Sequence, residues 1–590
     1  MRVGLALLVL LMMAVGCRPA EEPAEEPAEE PAPRPIVAVV TTPVTPSLAD
    51  GRAVSTLATP PSLTASAMPT TTLTVALTSV PRRITPTPYP TANLPAVQSP
   101  AWAKDAVMYQ VFVRSFADSN GDGIGDLNGI TSRLDYLKGL GVTALWLTPI
   151  FEAASYHGYD TTDYYTIQPE YGTMEDLARL VDEAHARGMK VILDYVAGHT
   201  SNEHPFFEDA YNNPQSQYTG FYRWTNEAHT TYDGFAGLRE MPSLNYANPA
   251  TTQYMLDVAE YWLTLGGTRP AGQGIDGFRL DYVLGIPHPF WKQLRQTVKG
   301  VNPDALLLGE AWTSNRREIV PYFDNEFDAA FDFPLYGSLQ GNHDKVGDGV
   351  LPGQASAGLL ELDAPGPLRA YPPGAISVAF INNHDTNRAM SDFGGDVERA
   401  KTAATFLFTI PQTPIIYYGE EIGMQGTKGA GSLGDLPRRE PMDWYAAATG
   451  PGMTTWSQAT ERNNHPADGV SVEEQQGQPG SLLETYRALI RLRRDSPALR
   501  QGSYEPVKAA DNDKAYAHVR RVGDDIVLAV FNFGDAPAAL TFDLSTTGLV
   551  ADSYAATDAL TGAAVPDIHP PTYQVALPAG GSKALRLTAR

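Results

Sequence analysis

Short apolar runs recurring between helical stretches constrain this chain more than any other feature. Runs at 107–113, 144–147, 191–194, 275–281, 305–310, 327–333, 378–381 and 414–418 read as about eight strands. Helical stretches separate most of them, for example at 132–140 and 174–187, and Gly188 stands where a helix C-cap glycine belongs. Strands alternating with helices imply a mostly parallel sheet, either closed as a (β/α)8 barrel or open and doubly wound. The barrel is preferred because polar residues fall at the C-terminal ends of many different strands, where barrel enzymes assemble their sites. The expected fold is α/β: a (β/α)8 TIM barrel with a subdomain inserted after the third strand and a C-terminal antiparallel β-sandwich domain.

At 590 residues the chain exceeds one ordinary domain. The barrel is expected over 101–500, closed by a helix at 482–494. The stretch at about 197–246, rich in Asn, His, Tyr and Phe, is too long for a plain loop and reads as the inserted subdomain; a helix begins near Pro249. Residues 501–590 carry short β-rich runs, such as 526–533 and 538–544, with turn residues between them.

The first hundred residues have a different character. Residues 18–100 repeat Glu-Glu-Pro-Ala and then turn Thr-, Pro-, Ala- and Ser-rich. Such a segment buries too little apolar surface to offset its ordering entropy and reads as an extended tether. Before it, Arg2 and an apolar run at 5–15 suit a signal peptide and are too short to span a bilayer. Cys17 is the single cysteine, so no intramolecular disulfide is possible. Ala14-Val15-Gly16-Cys17 resembles a bacterial lipobox, which implies a signal peptide over 1–17 and a lipidated Cys17. The expectation is an extracellular or cell-surface lipoprotein, touching the membrane only through its lipid anchor, and a monomer. A formal charge of −24 argues against nucleic acid, whose phosphates call for a basic face.

Two strand ends carry the candidate chemistry. In Ile275-Asp276-Gly277-Phe278-Arg279-Leu280-Asp281, residues i and i+2 share a face, so Arg279 and Asp281 point the same way. A guanidinium that close favours the ionised form of a carboxylate. Glu310 follows the apolar 305–308 run, a setting that tends to raise a carboxyl pKa and suits a general acid. One ionised and one protonated carboxyl are the working parts of a glycosidase. In isolation, two polar strand ends without chemistry would look the same.

The ordered set of motifs resembles the α-amylase family of glycoside hydrolases over nearly everything after residue 101. Asp194-Tyr195-Val196-Ala197-Gly198-His199-Thr200 is similar to its first signature region and Gly277-Phe278-Arg279-Leu280-Asp281 to its second. Gly309-Glu310-Ala311-Trp312 resembles the third and Asn382-Asn383-His384-Asp385 the fourth. Met241-Pro242-Ser243-Leu244-Asn245 and Tyr417-Tyr418-Gly419-Glu420-Glu421-Ile422-Gly423-Met424 resemble further regions. The resemblance implies Asp281 as nucleophile, Glu310 as general acid/base and Asp385 as the third carboxylate, binding sugar hydroxyls and helping to keep Glu310 protonated. It implies substrate binding by Arg279, His199, His384 and Tyr159, with His157 nearby.

Gly198 replaces the Asn usual in the first region, and Leu284-Gly285 replaces the Lys-His common in amylases. The resemblance ties that Asn and His to a structural calcium, so this site is expected to be absent or remade. A different loop, Asp118-Ser119-Asn120-Gly121-Asp122-Gly123-Ile124-Gly125-Asp126, places oxygens at alternate positions as the first half of an EF-hand does. Gly129 stands where a closing Glu would be. Ca2+ is expected there on Asp118, Asn120, Asp122, Asp126 and the Ile124 carbonyl; an Asp/Asn/Gly turn without metal is the alternative.

The function these features imply is retaining hydrolysis of α-1,4-glucans such as starch and maltooligosaccharides, by endo action. Exo-acting relatives commonly carry an Asp three residues before the stacking Tyr, and here that position is Tyr156. Arg439-Glu440-Pro441-Met442-Asp443-Trp444 resembles the exo-acting α-glucosidase, oligo-1,6-glucosidase and transglycosylase branches, which stay open. A non-catalytic carbohydrate-binding protein on the same fold is the remaining alternative.

Overall fold

The structure, a computed structural model, describes residues 94–341, 347–430, 434–457 and 462–590. The signal-peptide reading, Cys17 and most of the tether lie outside the described residues. Eight parallel strands form a closed barrel: β1 (Met108–Val111), β2 (Ala144–Leu147), β3 (Lys190–Tyr195), β4 (Gly277–Leu280), β5 (Leu306–Gly309), β6 (Ala329–Phe331), β7 (Ile376–Ala379) and β8 (Thr413–Tyr417). Closure excludes the open doubly wound sheet, since Met108 of β1 pairs with both Ala144 of β2 and Ile415 of β8.

The strands are buried on both faces, which is why they read as near-continuous apolar runs rather than as an alternation. Met108, Trp146, Ile192, Leu308, Phe331 and Val378 form one cluster, the barrel interior. Their neighbours Tyr109, Leu145, Val191, Leu193 and Leu307 belong to a second cluster with the surrounding helices. Each fully buried Leu, Ile or Val contributes about 1.5–3 kcal/mol.

Local signals set the helix ends. Thr173 and Asp176 make a capping box for the helix Met174–Ala186, and Gly188 beyond it has φ +77°. The helix expected at 132–140 is instead two pieces, Leu127–Ser132 and Leu134–Leu140. Asp126 caps the first by accepting from Gly129 N–H, and Arg133 (φ −104°, ψ 5°) breaks the run. The strand expected at 327–333 is shorter, because Asp332 accepts from Leu335 N–H and starts the helix Phe333–Gln340.

Between β3 and the helix Pro249–Leu263 the chain forms the compact insertion, with a short helix (Pro205–Ala210) and isolated bridges such as His199–Ser243 and Tyr222–Leu244. Aromatic contacts hold it together, among them Phe206 on Tyr218 at 3.9 Å and Phe207 on Trp224 at 5.5 Å between ring centroids.

The C-terminal strands are β9 (Ser503–Lys508), β10 (Ala515–Val522), β11 (Asp525–Asn532), β12 (Ala538–Asp543), β13 (Tyr554–Asp558), β14 (Ala564–Ile568), β15 (Thr572–Leu577) and β16 (Ser582–Ala589). They form a six-stranded antiparallel sheet, β9-β10-β11-β16-β13-β14, and a two-stranded one, β12-β15. Leu528 and Leu585 of the larger sheet share a core with Leu540, Phe542 and Leu577 of the smaller, which makes the expected sandwich.

Two buried arginines brace this junction: Arg520 of β10 ties the domain to the barrel, and Arg493, on the barrel's own closing helix, holds the same barrel segment. Arg493 donates to the carbonyls of Phe408, Ile410 and Gln412, and Arg520 donates to those of Thr409, Gly502 and Ser503. They satisfy carbonyls that the helix Val397–Thr409 leaves open at its C-terminal end. The tether reading stops short at its other end. Val97, inside the stretch read as tether, is buried, its N–H donates to Pro373 O at 2.8 Å, and Ser99 Oγ donates to Gly374 O at 2.8 Å. Leu94 to Pro100 thus pack beside the N-terminal end of β7, which a Pro- and Ser-rich composition conceals.

Candidate active site

The candidate residues converge at the C-terminal ends of the strands. Gln110 lies in β1, Trp146 in β2, Asp194 in β3 and Arg279 in β4; Asp281 and Glu310 directly follow β4 and β5, and His384 and Asp385 follow β7. Parallel register sets Asp194 level with Arg279, and Arg279 level with Leu308 two residues before Glu310.

Arg279 is fully buried and holds the centre together. Its Nη1 donates to Asp281 Oδ1 at 2.7 Å and to Asp194 Oδ1 at 2.9 Å, while Nη2 contacts Glu310 Oε1. One guanidinium therefore touches both members of the candidate carboxyl pair. Trp146 lies beneath it, 4.9 Å from ring centroid to guanidinium carbon. The chain turns sharply after Asp281: Tyr282 has φ +34°, a left-handed conformation that costs a bulky residue on the order of 1–3 kcal/mol. The turn brings Tyr282 N–H to 3.1 Å from Glu310 Oε2.

Burial raises the Glu310 carboxyl to about 8; the Arg279 charge opposes this, and the Asp281 and Asp385 charges add to it. At neutral pH Glu310 is thus an acid with a proton to give. Asp385 goes the other way. Its burial is outweighed by His384, which donates at 2.9 Å, and by the guanidinia of Arg439 and Arg279, so it lies well below the usual carboxylate range.

Tyr159 and the histidines surround this centre. Tyr159 O–H donates to Asp194 Oδ2 at 3.0 Å, and its ring stacks on His384 at 5.4 Å and 8°. Gln110 Nε2 donates to His384 Nδ1 at 2.7 Å, which leaves the His384 proton on Nε2, facing Asp385 Oδ2 and Tyr159 Oη. Burial lowers the His384 and His199 pKa values and keeps both rings neutral. His199 Nε2 donates to the Tyr159 carbonyl at 3.1 Å, while its buried Nδ1 has no partner among the described residues. His157 sits at the rim, its Nδ1 accepting from Tyr159 N–H at 3.1 Å; burial and the Arg439 charge push it down to about 3.

Asp194, Trp146, Gln110 and Arg439 enter the site although sequence reasoning gave none of them a role. Asp194 accepts from Arg279, from Tyr159 and from Trp146 Nε1 at 3.1 Å. Gln110 fixes the His384 tautomer, and Arg439 Nη2 donates to Asp385 Oδ1 at 3.1 Å. Asp194 and Gln110 were signalled by their places at strand ends; Arg439, far along the chain, carried no such signal beyond its motif.

The loop from Asp118 to Asp126 forms a ladder of side chain-to-backbone turns. Asp118 accepts from the N–H groups of Asn120, Gly121 and Gly123, Asn120 from Asp122 and Asp122 from Ile124. The donor types suit a hard cation. Asp126 is committed elsewhere, its Oδ1 to Gly129 N–H and its Oδ2 to Ser119. Among the described residues, no group of three or more His, Cys, Asp or Glu side chains is arranged to hold a metal.

Comparison with known proteins agrees with this geometry. The family description "Alpha amylase, catalytic domain" matches residues 110–502. The chain belongs to the α-amylase family. It is 36% identical over 450 residues to α-amylase 3 of Dictyoglomus thermophilum, covering 73% of this chain and 85% of that one. Glucan 1,6-α-glucosidase of Streptococcus pneumoniae is 30% identical over 530 residues, 78% of this chain and 96% of its own. The crystal structure of an α-amylase from H. orenii aligns with TM-score 0.68 and 31% identity, over 82% of this chain and 99% of that one. This family member is therefore an α-glucan hydrolase, a glycosidase, and the non-catalytic alternative falls away.

The raised Glu310 carboxyl sets a pH dependence. The acid form is present below its pKa and is lost as pH rises through about 8. kcat/KM on maltopentaose is expected to fall along an alkaline limb near that pH. Glu310→Gln is expected to lower turnover by orders of magnitude and to remove the limb, without lowering the melting temperature. A wild-type profile flat from pH 6 to 10 would contradict the assignment of Glu310 as the acid.

Proposed function

We propose that this glycosidase is an endo-acting, retaining α-amylase that cleaves α-1,4 bonds within starch and maltooligosaccharides. In the first step an oxygen of Asp281 attacks the anomeric carbon. The bond to the leaving glycosidic oxygen breaks, and that oxygen takes the Glu310 proton. In the second, Glu310 takes a proton from water, the water oxygen attacks the same carbon, and the Asp281 ester bond breaks to release an α-configured product. One guanidinium contacting both carboxyls supports the close pairing of a retaining site, about 5–5.5 Å, over the wider inverting one.

The observation that carries endo action is Tyr156. An Asp there would offer paired acceptor oxygens to a terminal sugar, whereas a phenol offers one oxygen. That oxygen lies 3.5 Å from Arg439 Nη1, and Arg439 is held instead by Asp385 and Asp435. Similarity to the glucan 1,6-α-glucosidase, and to cyclomaltodextrinase of Bacillus sp. at 33% identity, favours the exo or transglycosylating reading. Viscosity loss of soluble starch against reducing ends released decides between them. Rapid loss with mixed maltooligosaccharides is expected; slow loss with glucose as the sole early product would replace endo with exo action.

We also propose that the loop after β1 binds Ca2+ through Asp118, Asn120, Asp122 and the Ile124 carbonyl, with Asp126 exchanging its present bonds to join them. A bound ion would neutralise the loop's carboxylates and stabilise the fold by mass action. Millimolar Ca2+ is expected to raise the melting temperature of wild type and not of Asp122→Ala; equal melting of chelated and loaded wild type would remove this reading.

The N-terminal proposal is a lipidated Cys17 that tethers the enzyme outside the cell. Mass spectrometry of the mature N-terminus tests it, with a diacylglyceryl-modified Cys17 expected. An unmodified N-terminus downstream of Cys17 would count against it.

A further inference from the structure

The loops after β1, β2 and β8 meet at one aromatic contact beside the active site. Tyr156, after β2, stacks on Trp456 with centroids 5.4 Å apart and planes at 29°. Both side chains are half-buried at the rim. Trp456 has further anchors of its own. Its indole N–H donates to Ser115 Oγ at 3.0 Å, and the Arg114 guanidinium carbon lies 5.5 Å from its ring centroid. Its backbone is held too, since the N–H groups of Thr455 and Trp456 both donate to the Gly123 carbonyl, at 2.7 and 2.9 Å. Gly123 has φ +90°, and a Cβ there would stand 2.4 Å from Thr455 Oγ1, so the two segments touch without room for a side chain.

Tyr156 has fewer restraints of its own. Its O–H makes only the long 3.5 Å contact to Arg439, whose guanidinium carbon also stands 5.8 Å from the ring centroid, and His157 meets its ring edge-on at 5.4 Å, so among the described residues the one stacked partner of the ring is Trp456. A ring with one weak polar contact takes its orientation from what it packs against. Here that is Trp456. Arg439 ties the same corner to Asp385, so the Tyr156 ring stands next to the sugar position that Tyr159, His384 and Asp385 surround.

We propose that Trp456 is a positioning residue that holds the Tyr156 ring as the stacking wall for the sugar adjoining the one being cleaved, and so sets the preference for chain length. The proposal rests on the open-cleft reading of Tyr156. A pyranose presents an apolar C–H face to an aromatic ring, and the contact has value only where the ring is already in place. The indole does not touch the sugar itself, since Tyr156 covers one face and Arg114 lies over its ring.

The test is a double-mutant cycle of Trp456→Ala and Tyr156→Ala, with kcat and KM measured on maltotriose through maltoheptaose and on 4-nitrophenyl α-glucoside. Trp456→Ala is expected to raise KM for maltopentaose about tenfold, to change kcat less than threefold, and to affect the one-sugar substrate far less. The double variant is expected to be no worse than Tyr156→Ala, and Trp456→Phe to recover most of the affinity. Equal losses in kcat on every substrate, or effects that multiply in the double variant, would overturn the proposal. If Trp456→Ala folds poorly, Trp456→Phe and Trp456→Leu at matched melting temperature carry the same comparison. Failure of the open-cleft reading is distinguishable, because it shows in wild type as glucose being the sole early product, whatever the coupling between the two residues.

Discussion

The site depends on one buried guanidinium. Arg279 has no exposed surface, and its charge is set against the carboxyls of Asp194 of β3 and Asp281 after β4, while Glu310 after β5 contacts it as the acid form. Burying such a cation is costly, and only a full set of partners offsets it. Removing one partner leaves charge uncompensated, on the order of 3–5 kcal/mol. The barrel provides the set because parallel register brings neighbouring strand ends level, so residues distant in the chain converge on one nitrogen fork. Asp194, which takes no bond-making role, belongs to the centre for this reason.

The same arrangement separates the two carboxyls. Asp281 is buried and receives a direct bond from Arg279 Nη1. Glu310 is deeper, and for it burial outweighs the Arg279 charge. Asp385 adds to this without touching Glu310. Held ionised by His384 and Arg439, it is a fixed negative charge that disfavours a second one on Glu310.

Much of this was legible in the chain. The barrel could be read because strands buried on both faces are short apolar runs with polar ends, and β4 and β5 carried Arg279, Asp281 and Glu310 at those ends. The single helix expected at 132–140 was missed because Asp126 starts a helix with its side chain, a local bond that periodicity does not show. The start of the folded unit was misplaced because Val97 is one apolar residue in a polar, Pro-rich run. Trp456 was invisible as part of the site. It stands in a turn-rich segment outside every motif, and only closure of the barrel, which puts the loops of β1 and β8 side by side, brings it to Tyr156.

The tautomer of His384 matters to the charge count. Gln110 donates to Nδ1, so the ring keeps its proton on Nε2, donates it in a hydrogen bond to Asp385, and is held neutral by its burial. A protonated imidazolium there would add a cation facing the sugar. Instead Asp385, held ionised by the neighbouring His384 and the guanidinia of Arg439 and Arg279, is a fixed negative charge beside the sugar position. The transition state of glycoside cleavage gathers positive charge at the anomeric carbon. A negative charge, fixed in place before the sugar arrives, stabilises that state more than the neutral ground state, which is the condition for catalysis rather than tighter binding. A glutamine in the first strand, with no chemistry of its own, thereby helps to set the sign of the field in which the bond breaks.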